Sequence, residues 1–361
     1  MTIDALIEFI SEESHYFDNF FFIPSRRQIE SKHFGGGYVC KWDTETFCKY
    51  VKEYSLKIGL DSPISICRDH GGPWQGKNET ILNLNEIDAY KSSDISFKSD
   101  IENGMRILHI DTCFYSEKNK NQSEALQKLF SIQSELKSYA IFKNKTLTFE
   151  HGTEAQSDDF ANRNYLKEYL NKLDEVGITE IPEYYVLQIG TKTIENRNIG
   201  RFVNGNFDNE ELQELGSTIK MLHQKGIKIK GHNCDYLDDS ALNKIRDLGV
   251  DAINIAPEFA FIESNIRLNK LKKFNNELCE QLTEAVLNKN TYLKWSYNGC
   301  FERLKREEVA ALVLHYHLED HDIKKLIRKS EEIINYNKDL EHEIKHALKE
   351  KFSLIANSFI K

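Results

Sequence analysis

Acids and imidazoles recur at a few points of this chain in spacings that could do chemistry. Asp69-His70 runs into Gly71-Gly72, His109 and Asp111 lie two apart, and Glu150-His151 is followed by Gly152-Thr153-Glu154. Gln188 precedes Gly190, His232 ends the alternating run IKIKGH, and Asn254 and Lys294 sit in later apolar runs. Histidine is a common ligand for a borderline cation such as Zn²⁺, and a carboxylate beside it can move protons. His70 and His232 with one carboxylate would form a catalytic metal site with an open position. Neighbouring strand residues face opposite sides, so a turn at Gly71-Gly72 would have to bring both Asp69 and His70 to one mouth, whereas His109 and Asp111 share a face. A carboxylate buried there must be paired, protonated or metal-bound. Taken singly, each has a plainer account. Asp69 could be a cap with His70 on backbone, His109 and Asp111 a hydrogen-bonded core pair, Glu154 a helix cap, and His232 a loop residue.

Such residues act together only if separate elements carry them to one place. Short β-branched or apolar runs at 20–25, 63–69, 105–111, 147–151, 184–190, 227–232, 251–256 and 291–297 read as strands. Amphipathic stretches at 44–59, 121–140, 160–176, 208–225, 238–248 and 260–288 read as helices. In the second of these, Phe130, Ile132, Leu136 and Ile141 have the spacing of a half-buried face. The segment 76–104 is the least regular, with a short helix expected near NLNEIDAYK. Strand followed by helix, eight times, is the pattern of a parallel α/β protein, and eight units in this length fit a closed (β/α)8 TIM barrel of ~250 residues. The expected organisation is a barrel over residues 1–300 and a C-terminal helical extension over 301–361. Catalytic groups of such barrels stand at the C-terminal ends of strands, which is where the acids, imidazoles and amides above fall.

Composition narrows the function classes. Hydrophobic residues make up 40% of the 361, enough for a core, so a disordered chain is excluded. Lys+Arg number 48 against 57 Asp+Glu, a net charge of −9, which argues against a nucleic-acid partner. No apolar run reaches the ~18 residues of a membrane span, and the N-terminal run carries acids rather than a basic flank, so no signal peptide is expected. Seven scattered cysteines without a CxxC read as reduced thiols, and the cytoplasm is the expected location. Gly35-Gly36-Gly37 lacks the Lys-Ser/Thr of a phosphate loop. His315, His317 and His321 read as a solvated helix face, with 317 and 321 at i,i+4, and the Lys/Glu-rich 323–351 as charged helical surface, possible at a subunit contact.

With these residues in view, the chain resembles the non-catalytic subunit family of class II tagatose-bisphosphate aldolases, relatives of metal-dependent ketose-bisphosphate aldolases and sugar-phosphate 4-epimerases. The resemblance is carried by SRRQIESKHFGGGY (25–38), RDHGGPWQG (68–76), ILHIDTCF (107–114), HGTEA (151–155), KGHNCDY (230–236) and INIAPEFAF (253–261). It implies Asp69 as proton carrier, Asp111 as a second catalytic acid, His70, Glu154 and His232 as metal ligands, and Asn254 as a substrate contact. The family's histidine after strand 5 is missing beyond Ile189-Gly190-Thr191, so Gln188 or Glu154 would have to replace it. The phosphate loops are altered as well, leaving Arg68, Arg201 or Lys294 to bind substrate. The resemblance thus implies a divalent metal, with Zn²⁺ expected, and a small sugar or sugar-phosphate substrate in carbohydrate metabolism. The activity implied is an aldolase, or a 4-epimerase working by retro-aldol cleavage and re-addition. An accessory subunit stabilising a separate catalytic aldolase is the non-enzymatic alternative, and a homo-oligomer or that catalytic subunit is the protein partner expected.

Overall fold

In the computed structural model, residues 116–121, 153–159, 177–180, 205–208, 298–299, 334–335 and 361 lie outside the described part of the chain. Six runs form a parallel sheet: β1 (Cys67–Gly71), β2 (Ile107–Asp111), β3 (Thr148–Gly152), β4 (Tyr184–Leu187), β7 (Lys228–Gly231) and β8 (Ala252–Ile253), in the order β1-β2-β3-β4-β7-β8. A two-residue ribbon, β5 (Thr193–Ile194) with β6 (Arg197–Asn198), stands apart from it. The central strands are almost wholly buried, as expected for a parallel sheet covered by helices on one face and curled around its own interior on the other.

The curl shows in the contacts between its edges. Phe22 and Ser25 make single parallel bridges to Ile66 and Asp69, so the run at 20–25 extends the sheet beyond β1 without becoming a regular strand. Phe21 and Ile23 from that edge pack with Cys67, Ile107, Tyr184 and Ala252, the last from the opposite edge. Two edges touching one interior cluster require the sheet to bend round on itself.

A full eight-stranded barrel is not formed among the described residues. The run at 291–297, expected to be the eighth strand, is instead a 3₁₀ turn, Thr291–Trp295. Asn290 enters it in the left-handed region (φ 57°), and Leu293 N–H closes back onto the Asn290 carbonyl. That local turn beats the β-propensity of the TYLKWSY run, which among the described residues has only single backbone contacts, Glu195 N–H to the Trp295 carbonyl and a Tyr297–Cys300 bridge, rather than a continuous partner strand. A cavity of about 840 Å³ lies between β8 and the 20–25 edge, with Glu150, Lys230 and Asn254 among the residues that line it. Its size suits a small ligand.

Other expectations shift in the same way. The irregular segment 76–104 holds a 17-residue helix, Glu86–Glu102, begun by Asn85, whose Oδ1 accepts the Asp88 N–H. Its buried face is made largely of Ser92, Ser93, Ser96 and Asp100, so apolar periodicity did not reveal it. Ile141 is 67% exposed rather than buried with Phe130, Ile132 and Leu136. Residues Thr2–Glu12 form a helix that was not anticipated, burying Ala5, Leu6, Ile7, Phe9 and Ile10. It packs against the C-terminal helix Tyr336–Ile355, with Lys345 and Lys349 reaching Glu8 and Glu12. One apolar cluster runs from Ala5 to Phe359, through the sheet's helices and the helices after residue 301. No helix among the described residues is long and apolar enough to cross a membrane.

Arg68 belongs to this framework. Its guanidinium binds both Asp100 oxygens (2.6 and 2.7 Å) and the Pro24 and Ile29 carbonyls, entirely out of contact with solvent. It points into the helix layer, away from the mouth, with four of its five N–H donors engaged and its side chain closed off from solvent. Asp100→Ala leaves that cation buried and unpaired. We expect a loss of about 3–5 kcal/mol of stability, read as a lowered denaturation midpoint; an unchanged midpoint would show that the pair holds nothing together.

Candidate metal centre

The end of β1 is irregular in a way that matters. Pairing with β2 skips from Arg68 to Gly71, and His70 adopts φ 43°. A bulge with one left-handed residue re-aims side chains, and here it brings both Asp69 and His70 to the inner face. The glycines that follow are needed for contact. A Cβ on Gly71 would lie 2.3 Å from the Phe97 ring, and one on Gly72 (φ +115°) 2.5 Å from the Asp111 carbonyl.

Around Asp69 the other strand ends converge. His109 sits opposite Glu150 in the β2–β3 register. Asp69 Oδ1 lies 3.4 Å from His109 Nδ1, 3.7 Å from His232 Nε2 and 3.3 Å from Asn254 Nδ2, and Glu150 Oε1 lies 3.2 Å from His109 Nδ1. One donor atom from each of Asp69, His109, Glu150 and His232 falls within 4.8 Å of the others. Bonds of 2.0–2.2 Å to a tetrahedral ion put neighbouring donors about 3.4 Å apart, and the pairs at 3.2, 3.4 and 3.7 Å stand near that spacing.

The hydrogen-bonding pattern supports the same conclusion. His109 Nδ1 is crowded by three groups at once, the His70 backbone N–H (3.2 Å), Asp69 Oδ1 (3.4 Å) and Glu150 Oε1 (3.2 Å). His232 Nε2 and Glu150 Oε1 are buried without a hydrogen-bond partner. Unpaired polar atoms are costly in such surroundings, and a divalent cation among them removes the conflict. The residues present fit such an ion.

Glu150 and His109 are held from behind. Lys230 Nζ binds Glu150 Oε2 at 2.5 Å, leaving Oε1 free. The far edge of His109 rests on Gly152, where a Cβ would fall 2.1 Å from Nε2. Gly152→Ala should therefore displace the imidazole and weaken metal binding about 10- to 100-fold, as loss of an orienting contact does. Equilibrium dialysis with Zn²⁺ measures this, and wild-type affinity would mean that His109 is not a ligand.

His70 has a different environment. Its Nδ1 meets Asp111 Oδ2 at 2.7 Å, and Asp111 also accepts from Gln75 Nε2 (2.7 Å) and the Cys113 N–H (2.9 Å). Asp111 is thus an orienting carboxylate, one residue removed from Asp69. His70 Nε2 lies 3.8 Å from Asp69 Oδ2, and the His70 and His232 rings are 5.0 Å apart, edge to face. Burial opposes charge throughout. At His70 it is overcome by Asp69 and Asp111, which push the imidazole up to about 9. At His232 burial prevails over the pull of Asp69, and the value falls well below the usual range, so this ring is neutral, the form a ligand needs. Burial also disfavours the Asp69 anion, but His70 above all, with the His109 contact and Lys230, holds its carboxyl well below the ordinary value.

The structure brings Asp69, His70, Asp111, His232 and Asn254 together. Glu154 lies outside the described residues. Gln188 is buried just past β4, its carbonyl accepting the Ala161 N–H. Arg201 lies outside the cluster, bound to Glu211 and over the Phe160 ring. Lys294 is on the 3₁₀ turn, its ammonium 3.7 Å from the centre of the Tyr316 ring. Lys230 was missed. The signal was present in IKIKGH, where Ile227 and Ile229 take one face and Lys230 the interior. Gly36 and Gly37 would each clash through a Cβ with backbone carbonyls, so the triple glycine is a packed turn. His317 bonds Thr291 and Asp320 outside any helix, so it shares no helix face with His321.

No protein-family profile matches the sequence, and no curated protein matches it. Solved structures do match. A probable tagatose 6-phosphate kinase from Sinorhizobium meliloti 1021 superposes with a TM-score of 0.66 at 17% identity, over 99% of this chain and 97% of that one. A fructuronate-tagaturonate epimerase from Cohnella laeviribosi gives 0.53 at 12% identity, over 85% and 70%. A fructose-bisphosphate aldolase from Campylobacter jejuni gives 0.52 at 12%, over 99% and 88%. The likeness is one of fold.

Proposed function

We propose that this protein is a divalent-metal enzyme that makes or breaks a carbon–carbon bond in an open-chain ketose or ketose phosphate. The observation that carries the reading is the buried convergence of His109 Nδ1, His232 Nε2 and Glu150 Oε1 beside Asp69, the last two without a hydrogen-bond partner. His109, Glu150 and His232 would hold the ion, with zinc suited to this mixed N/O donor set. When bound, such an ion supplies Lewis-acid polarisation of a substrate carbonyl.

The chain's own residues do the rest. Asp69 stays ionised against its burial and is the group placed to take the proton from a substrate hydroxyl at C4 as the C3–C4 bond breaks, and to return it on condensation. Asn254 fixes the Asp69 carboxylate through Oδ1. His70, locked by Asp111, presents a charged Nε2–H beside Asp69 Oδ2 and stabilises negative charge there. Release of the aldehyde fragment makes the enzyme an aldolase; re-addition to its other face makes it a 4-epimerase. That two structures of the same fold are described as an aldolase and as an epimerase of sugar acids supports chemistry of this class. A purely accessory subunit needs none of these convergent polar groups.

The test is metal analysis of the purified protein, followed by incubation with ketoses, ketose phosphates and ketose acids. NMR then detects aldehyde release and inversion at C4. A protein that neither contains nor binds a divalent ion would sink this reading.

A further inference from the structure

We infer that the mouth of this site receives an anionic group of its substrate, a phosphate or a carboxylate, between Arg27 and Lys294. The inference rests on the ketose reading above and adds to it the class of substrate.

The rival cations are taken. Arg68 is used up by Asp100 and backbone carbonyls, Arg26 by Glu30 and Glu79, Lys230 by Glu150, and Arg201 engages Glu211. A helix N-terminus that could accept an anion follows β8, at Pro257–Phe274, but it is already filled. Asp235 Oδ1 accepts the N–H groups of Ala256 (2.9 Å) and Glu258 (3.0 Å), so the chain's own carboxylate occupies the place a ligand phosphate would use.

Arg27 and Lys294 differ from these. Neither has a carboxylate partner among the described residues. Arg27 donates only to the Gln75 carbonyl (3.4 Å) and Thr80 Oγ1 (3.3 Å). Gln75 in turn donates to Asp111, so this guanidinium stands one residue from the catalytic cluster. Lys294 stands on the turn tied to the β5–β6 ribbon. The neighbouring Trp295 carbonyl accepts the Glu195 N–H of the β5–β6 ribbon, and Asn198 of that ribbon donates to the Asn233 carbonyl, next to His232. Between the two cations lie Tyr316, under the Lys294 ammonium, and Tyr38, whose ring is 4.9 Å from that of Tyr316 and whose N–H bonds the Arg27 carbonyl. Desolvation by these surroundings, and then the positive charge of Arg27, lower Lys294 to about 8. Two uncompensated cations beside an aromatic floor, at the rim of a sugar site, fit a sugar's anionic end. Arginine supplies a fork for its oxygens, and lysine a point charge.

The test is calorimetric titration of the full-length protein with inorganic phosphate and, separately, with gluconate, comparing wild type with Arg27→Met, Lys294→Met and Lys294→Arg. Circular dichroism confirms that each variant is folded. We expect one of the anions to bind, each methionine variant to bind it about tenfold or more weakly, as loss of a charge-assisted hydrogen bond predicts, and Lys294→Arg to retain it. The anion that shows this dependence names the source, phosphate or carboxylate. Absence of binding by both anions in the wild type, or equal binding in the methionine variants, overturns the inference. Anion binding that follows Arg27 and Lys294 in a protein without metal would leave the anion site standing and remove only the proposed chemistry.

Discussion

Asp69→Asn will retain its divalent ion and lose about 10²- to 10⁴-fold in turnover, the range that removal of a general base costs. The substitution keeps size and shape, and its amide oxygen still accepts from Asn254 Nδ2. It removes a carboxylate that the cluster keeps ionised against burial with His70, His109 and Lys230 around it. Metal content by elemental analysis and single-turnover rates with the best ketose substrate give the two halves of the result. Wild-type turnover would remove Asp69 as proton carrier. Loss of the ion along with turnover would make Asp69 a ligand instead, since its Oδ1 is as close to His109 and His232 as a ligand would be.

His232→Ala has the opposite signature. Metal affinity should fall by more than the 10- to 100-fold that loss of a supporting contact costs, because the change removes a donor. His232 is buried at the end of β7 and kept neutral, and its Nε2 faces Asp69 with no hydrogen-bond partner. Titration with Zn²⁺ against a competing chelator measures the effect. Unchanged affinity would place the ion elsewhere, and His109 and Glu150 would lose their role as ligands with it. Together the two variants separate holding the ion from moving the proton.

Much of the site was legible along the chain because strand ends have a local signature. A short apolar run that stops at a polar residue marks the C-terminal end of a buried parallel strand, and Asp69, His70, Asp111, His232 and Asn254 all stand at such places, with glycine beside the first two and before His232. The bulge at Asp69-His70 was foreshadowed by Gly71-Gly72, since only glycine tolerates the approach of the Phe97 ring and the Asp111 carbonyl. The charged Arg68 beside them read as a substrate contact for the same reason of position, yet alternation along β1 turns it into the helix layer, where Asp100 waits 32 residues away.

Local pattern determined which runs are buried strands, which way successive side chains face, and that acids and imidazoles collect at one end of a parallel sheet. Register and curvature decided the rest. Glu150 meets His109 only because β2 and β3 pair in that alignment, and Lys230 reaches Glu150 only across the rolled interior. The number of strands was a tertiary matter as well. TYLKWSY has β-propensity, but a strand needs a continuous partner edge, and with only single backbone contacts among the described residues the run turned in on itself. Sequence periodicity reports the faces of an element, whereas ligand sets depend on distances between elements, which packing alone establishes.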